Sequence, residues 1–204
     1  MERREVRSRS NALIRHCANL LAQAGVTPNQ ISIFSIAAAA LVPAGLLLVG
    51  GFAGVVLAFA GVQLRLLANV LDGLVAIEGG KSTAVGALYN EFPDRISDTA
   101  ILVSLGYCSH QPDLGWGCAL FAALTAYVRV FGGALGLVQA FTGPMAKQHR
   151  MAVCSVALLA VARPTAVTPW VIPSALSVIA IGSAWTCVRR TRAIASQLNT
   201  QQAA

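Results

Sequence analysis

Charge is scarce in this chain: Asp, Glu, Lys and Arg together make up 11% of its 204 residues. With 56% hydrophobic residues and a mean hydropathy of +0.66, that scarcity excludes an ordinary soluble domain and points to an integral membrane protein. Cysteine and histidine patterns that would hold zinc are missing as well. The five cysteines (Cys17, Cys108, Cys118, Cys154, Cys187) are scattered without a CxxC pair, and read as small, reduced, buried residues. His16, His110 and His149 are equally isolated, and nothing resembles HExxH, so no metal site is built from them. Met1 to Arg9 is charged, with no apolar core behind it of signal-peptide shape. No internal repeat and no second domain are visible.

What the chain does have is a series of apolar stretches. A hydrocarbon core of about 30 Å needs about 20 apolar residues to cross it. Six candidates emerge, at roughly 30–49, 52–75, 86–108, 114–140, 150–163 and 168–188, the fifth being short. The expected fold is therefore all-α, an integral membrane bundle of six transmembrane helices over residues 28–190. A cytoplasmic juxtamembrane amphipathic segment (1–27) precedes it, and a short, frayed cytoplasmic tail (191–204) follows. Within the first segment, Ala12 to Ala24 mixes Leu13, Ile14, Leu20 and Leu21 with Arg15, His16 and Asn19, the pattern of an interfacial helix. Gly25-Val26-Thr27-Pro28 ends it, with Thr27 as N-cap and Pro28 as first-turn proline of span one.

The formal net charge is +7. The basic residues lie in short clusters between apolar runs, which argues against nucleic acid and for anionic lipid headgroups and phosphorylated substrates. Arg3, Arg4, Arg7, Arg9 and Arg15 precede span one; Lys81 lies between spans two and three; Lys147 and Arg150 lie between four and five; Arg189, Arg190 and Arg192 follow six. The opposite loops hold little beyond Arg163. By the positive-inside rule both termini are cytoplasmic, in a bacterial inner membrane.

The most informative segment is residues 69–98: Asn69-x2-Asp72-Gly73-x2-Ala76-x9-Gly86-x3-Asn90-x3-Asp94-x3-Asp98. Acids and amides recur at three- and four-residue steps, so Asn69 and Asp72 share one helix face, and Asn90, Asp94 and Asp98 another. Polar groups inside membrane helices commonly hydrogen-bond across a helix interface, which is a sufficient account of Asn69 or Asn90 singly. It is a poor account of all five together with the intervening glycines. Two such faces brought together make a cluster of oxygen ligands, best suited to divalent cations, at the cytoplasmic end of the helices.

This stretch resembles the signature of the CDP-alcohol phosphatidyltransferases, D-x2-D-G-x2-A-R-x8-G-x3-D-x3-D. Every spacing is kept, and Asp72, Gly73, Ala76, Gly86 and Asp94 match outright. Asn69 and Asn90 stand at two of the four Asp positions, and Ile77 stands where the family has Arg. Thr27-Pro28-Asn29-Gln30 is similar to the segment that opens the first span in this family. The resemblance implies a phospholipid-synthesising transferase that moves a phosphatidyl group from CDP-diacylglycerol, or a related CDP-alcohol, to an acceptor hydroxyl and releases CMP. It implies two Mg2+ or Mn2+ ions held by Asn69, Asp72, Asn90 and Asp94, with Asp98 compensating for lost charge. Asp94 would be the general base, and Gly73, Ala76 and Gly86 would admit the nucleotide. Four aspartates would face the +4 of two magnesium ions with four negative charges; Asp72 and Asp94 bring two. Glu78 and Glu91 are further candidates to compensate, and Lys81 and Arg95 are candidates to replace the missing cation at Ile77. A homodimer is the assembly the resemblance implies.

The resemblance implies, by region rather than residue by residue, that Arg129 in span four and Lys147 and Arg150 in the following loop bind the phosphate of a phosphorylated acceptor. For Lys147 and Arg150 a topology-setting role competes; for Arg129, a buried pair with an acid such as Asp98 competes. Arg65, four residues before Asn69, has the same ambiguity. Gly132, Gly133 and Gly136 read as packing residues. Two other classes remain open: an inactive relative serving as a membrane scaffold, and an ion-coupled transporter. The position of the cluster near a helix end and the lack of a repeat count against the transporter.

Overall fold

The computed structural model describes residues 12–81, 85–139, 141–163 and 165–202. The expectations placed on Arg3, Arg4, Arg7, Arg9 and the Glu78 side chain lie outside the described residues. Among the described residues seven α-helices follow one another: α1 Ala12–Gln23, α2 Pro28–Pro43, α3 Gly51–Glu78, α4 Gly86–Cys108, α5 Pro112–Ala134, α6 Lys147–Val161 and α7 Thr168–Gln202. Among the described residues there is no strand. The chain forms two compact units, divided within α4 between Ile101 and Leu102.

In the first unit, α2 starts as its sequence dictates. The Thr27 hydroxyl accepts from the Gln30 N–H at 3.3 Å, the Gln30 amide oxygen accepts from the Thr27 N–H at 2.9 Å, and Pro28 occupies the first turn. This reciprocal box satisfies two donors that a helix start leaves orphaned. At Pro43, which has no N–H to give, the helix widens into a π-helical segment, Ala44–Val49. Gly45 and Gly54 let this segment lie against α3: a Cβ on either would collide with the other's carbonyl oxygen. Helix α1 exposes Leu13 and buries Ala18, and it packs Ile14, Leu21 and Ala22 on Ile31, Ala68, Leu71, Leu74 and Val75. The Lys81 ammonium closes this arrangement by donating to the carbonyls of Ala22 at 2.7 Å and Val26 at 3.3 Å. A cation at the C-terminal carbonyls of α1 also suits the helix dipole.

The second unit holds the end of α4 with α5, α6 and α7. Gly106 and Gly115 bring α4 and α5 into backbone contact, since a Cβ on Gly115 would sit 2.9 Å from the Leu102 carbonyl oxygen. Gly132 serves packing as well: a Cβ there would meet Ile194 of α7 at 2.9 Å. The expected frayed tail is instead helical through Gln202. The reason is docking: Arg190 and Ile194 are buried, and the Gln197 amide reaches the Val138 carbonyl at 3.4 Å.

Among the described residues four helices are long and apolar enough to cross a membrane: Pro28–Val49, Gly51–Ile77, Pro112–Ala134 and Thr168–Gln202. The other two expected spans fall short for different reasons. Helix α6 has 15 residues, about 22 Å at 1.5 Å per residue. Helix α4 is long enough, but Glu91, Asp94, Arg95 and Asp98 crowd its first half. The outward faces of the long helices are apolar, with Leu48, Phe52, Leu120, Trp170 and Ile181 all exposed. That is a skin suited to lipid, and the protein is an integral membrane protein.

Candidate active site

Helix α3 carries Arg65, Asn69 and Asp72 at steps of four and three, and α4 carries Asn90, Asp94 and Asp98 at steps of four. The fold places these two rows in the first unit. Asp72, Asp94 and Asp98 are all buried, Asn69 is half-buried and Asn90 is exposed. Gly73 is buried, while Ala76 and Gly86 are half-buried. Three buried carboxylates in an apolar unit are costly unless something compensates them.

Part of the compensation comes from Arg65, which is 0% exposed. Its Nη2 donates to Asp98 Oδ1 at 2.5 Å and lies 3.4 Å from Asp94 Oδ1, tying α3 to α4 across 29 and 33 residues of sequence. Arg95 approaches the other oxygen of Asp94 at 3.9 Å from a quarter-exposed side chain. Of the two cations considered as substitutes at Ile77, Arg95 thus stands beside an acid and Lys81 caps α1. Asp72 is held from a third helix: Ser32 Oγ lies 2.8 Å from Asp72 Oδ2 and 3.1 Å from the Pro28 carbonyl. A hydroxyl has one proton, and the shorter, charge-assisted bond to the carboxylate takes it.

Several polar atoms in this cluster remain without a hydrogen-bond partner: Asn69 Nδ2, Arg65 Nε and Nη1, and Arg95 Nε. Buried polar atoms are normally satisfied, and all four of these are N–H donors, the kind of group that an anionic partner would satisfy. The carboxylate oxygens of Asp72, Asp94 and Asp98 are the ligand type that a hard divalent cation takes, with Arg65 and Arg95 beside two of them. Among the described residues no three His, Cys, Asp or Glu side chains converge as a metal group. A cation here would therefore take amide oxygens too. Asn69 can supply one by turning its amide, whose nitrogen end is unpartnered.

The basic residues occupy the second unit. Arg150, 1% exposed, donates from Nη1 to the Met145 carbonyl at 3.1 Å and approaches Thr125 Oγ1 at 3.4 Å. Arg190, 5% exposed, donates from Nη1 to the Thr125 carbonyl and from Nε to the Thr142 carbonyl at 3.1 Å. Two buried guanidinium groups thus meet at Thr125. Arg129 is half-buried, bonds Gln139 Oε1 at 2.8 Å and lies over the Phe141 ring at 5.3 Å; Asp98, its imagined partner, is engaged by Arg65. Lys147 opens α6.

No protein-family model matches the chain. Similar proteins nevertheless span most of it. The chain is 28% identical over 192 residues to a phosphatidylinositol phosphate synthase of Mycobacteroides abscessus, covering 87% of this chain and 81% of that one. It is 26% identical over 191 residues to the enzyme of the same name from Mycolicibacterium smegmatis, covering 89% and 83%. The relatives bear out the family resemblance. The chain is also 28% identical over 174 residues to the inner membrane protein YnbA of Escherichia coli, covering 83% and 84%. Among solved structures, phosphatidylinositol phosphate synthase of Mycobacterium tuberculosis with CDP-DAG bound matches with a TM-score of 0.71 at 23% identity, over 90% of this chain and 94% of that one. The same enzyme in complex with manganese and citrate matches with a TM-score of 0.70, also at 23% identity, over 89% and 88%. These structures establish that the chain shares the fold.

Two residues that the motif did not single out now belong in the account. Arg65 was ambiguous because its partners lie a helix away. Arg190 sat in the run Arg189-Arg190-Thr191-Arg192, whose charge was read only as a topology signal. Nothing in that run distinguishes the buried arginine from its exposed neighbours except the period of α7, on which Thr186, Arg190 and Ile194 fall one turn apart.

Proposed function

We propose that this protein is a CDP-alcohol phosphatidyltransferase. It moves a phosphatidyl, or similar substituted phosphate, group from CDP-diacylglycerol or a related CDP-alcohol to an acceptor hydroxyl and releases CMP. The observation that carries this reading is the ion pairing of Arg65 on α3 with Asp94 and Asp98 on α4, within a motif at the family spacing whose Asp72, Asp94 and Asp98 are buried.

A divalent cation, Mg2+ or Mn2+, would be held by Asn69, Asp72, Asn90 and Asp94. Such an ion would supply positive charge for the diphosphate of the leaving group. The rest of the chemistry belongs to the chain. Asp94 accepts the proton of the acceptor hydroxyl as that oxygen bonds the lipid-side phosphorus. The bond from this phosphorus to the oxygen of the CMP phosphate breaks, and CMP leaves with the electron pair. Ser32 fixes the Asp72 carboxylate, and Arg65 fixes those of Asp94 and Asp98, so the oxygens need little reorganisation during reaction. Gly73, Ala76 and Gly86 leave room for the nucleotide to approach the helix backbones. In the second unit Arg150 and Arg190, supported by Arg129 and Lys147, form a positive site that fits an acceptor carrying a phosphate.

In the membrane, α4 and α6 complete six spans, and α1 lies at the interface with Leu13 toward lipid. The clusters at Lys81, Lys147 and Arg189 to Arg192 support cytoplasmic termini and a cytoplasmic site in an inner membrane. A homodimer is the proposed assembly. The test is CMP release from CDP-diacylglycerol by detergent-purified protein, with Mg2+ or Mn2+ and a pool of acceptors. Release that is lost in Asp94→Ala is expected; equal release from that variant, or none with any acceptor from folded protein, would overturn the reading.

A further inference from the structure

The second cation expected from the four-aspartate pattern has a competitor in this chain. Arg65 Nη2 lies 2.5 Å from Asp98 Oδ1 and 3.4 Å from Asp94 Oδ1, so a second ion drawn to these two carboxylates would meet a guanidinium already paired with them. The guanidinium is 0% exposed and always charged, so it cannot step aside by losing its proton. The charge balance changes in the same direction. Asn69 and Asn90 remove two negative charges from the pattern, which matches the loss of one divalent ion. Asp72, Asp94 and Asp98 against Arg65 leave two negative charges, which one divalent ion neutralises. Arg95, quarter-exposed and 3.9 Å from Asp94, adds only a screened term.

We propose that Arg65 takes the place of a second divalent cation, so that the site binds one ion per chain together with a CDP-linked substrate. This inference rests on the transferase reading above. Arg65 would do two parts of that ion's work. Nη2 holds the Asp94 carboxylate, and the unpartnered Nε and Nη1 donate to the diphosphate oxygens. Each is a charge-assisted hydrogen bond in a dry place, so losing the fork geometry weakens nucleotide binding roughly 10-fold or more.

The test counts manganese. Intact protein in mild detergent is equilibrated with Mn2+ and CDP, bound Mn2+ per chain is measured by equilibrium dialysis, and the bound ion is examined by electron paramagnetic resonance. One ion per chain, with the six-line spectrum of an isolated Mn2+, is the expected result. Two ions per chain with a coupled spectrum would overturn the role of Arg65 while leaving the transferase reading intact. Folded protein with no CDP-dependent Mn2+ binding would overturn both. Arg65→Lys should keep one ion and bind CDP about 10-fold more weakly; native-like CDP affinity in that variant would contradict the proposed donation. Arg65→Leu combined with Asn90→Asp should admit a second Mn2+, and a folded double variant that still binds one would count against the substitution of ion by arginine.

Discussion

Removing Arg65 should damage the fold as well as the site, and by an amount the geometry bounds. In Arg65→Leu the carboxylates of Asp94 and Asp98 stay buried, 4% and 2% exposed, without the guanidinium that lies 3.4 and 2.5 Å away. Breaking one side of a buried pair costs about 3–5 kcal/mol, because the other charge is left uncompensated. For a chain of this size each kcal/mol moves the melting temperature by about 2–4 °C, so a drop of roughly 6–20 °C is expected. Asp98→Leu alone should also destabilise, by stranding the Arg65 charge. The double change Arg65→Leu/Asp98→Leu removes both charges of the 2.5 Å pair and should recover the part of either loss that comes from that pair, leaving the cost of Asp94 without Arg65. Thermal unfolding of the four proteins in one detergent, followed by circular dichroism, closes the cycle. If the two single losses simply add in the double variant, Arg65 and Asp98 do not act as a pair and the reading of the site is wrong.

Other outcomes follow from the same contacts. Ser32→Ala removes the 2.8 Å bond to Asp72 and should lower the rate of CMP release about 10-fold, with Ser32→Thr retaining most of it; equal rates in native and Ala proteins would remove Ser32 from the site. Lys81→Met deletes the donor to the Ala22 and Val26 carbonyls and should loosen α1 by about 1 kcal/mol, read as faster amide exchange over Ala12–Gln23 with α3 unchanged. Arg190→Gln should raise the KM for a phosphorylated acceptor at least 10-fold while the KM for the CDP-alcohol stays put. Gly115→Leu forces a side chain where only 2.9 Å separates a Cβ from the Leu102 carbonyl oxygen, and should reduce the yield of folded protein, as judged by gel filtration.

How much of this was legible in the sequence depends on the range over which each interaction acts. The Thr27–Gln30 box is local, three residues long, and could be read directly. The two polar rows were readable because helix periodicity converts the spacing of Asn69 and Asp72, and of Asn90, Asp94 and Asp98, into shared faces. Contacts between helices were not. Arg65 precedes its carboxylates by 29 and 33 residues, and Ser32 precedes Asp72 by 40, so no spacing rule reaches them. Arg190 is buried where Thr142 and Met145 meet α7, through the Thr142 carbonyl and the bond from the Met145 N–H to Thr186 Oγ1 at 3.0 Å. Composition sees only another arginine near a membrane end. The tail misled for a similar reason, since its polar residues hide the Ile194 contact with Gly132 that keeps α7 helical.

The central claim is transfer of a phosphatidyl group with CMP as leaving group, and a label on the lipid-side phosphorus of CDP-diacylglycerol tests it most directly. Incubation with Mn2+ and a phosphorylated polyol acceptor should move the label into a new lipid that contains the acceptor, alongside unlabelled CMP in equal amount. Label found in phosphatidic acid at the same rate with and without acceptor would mean that water is the nucleophile, and would contradict the account.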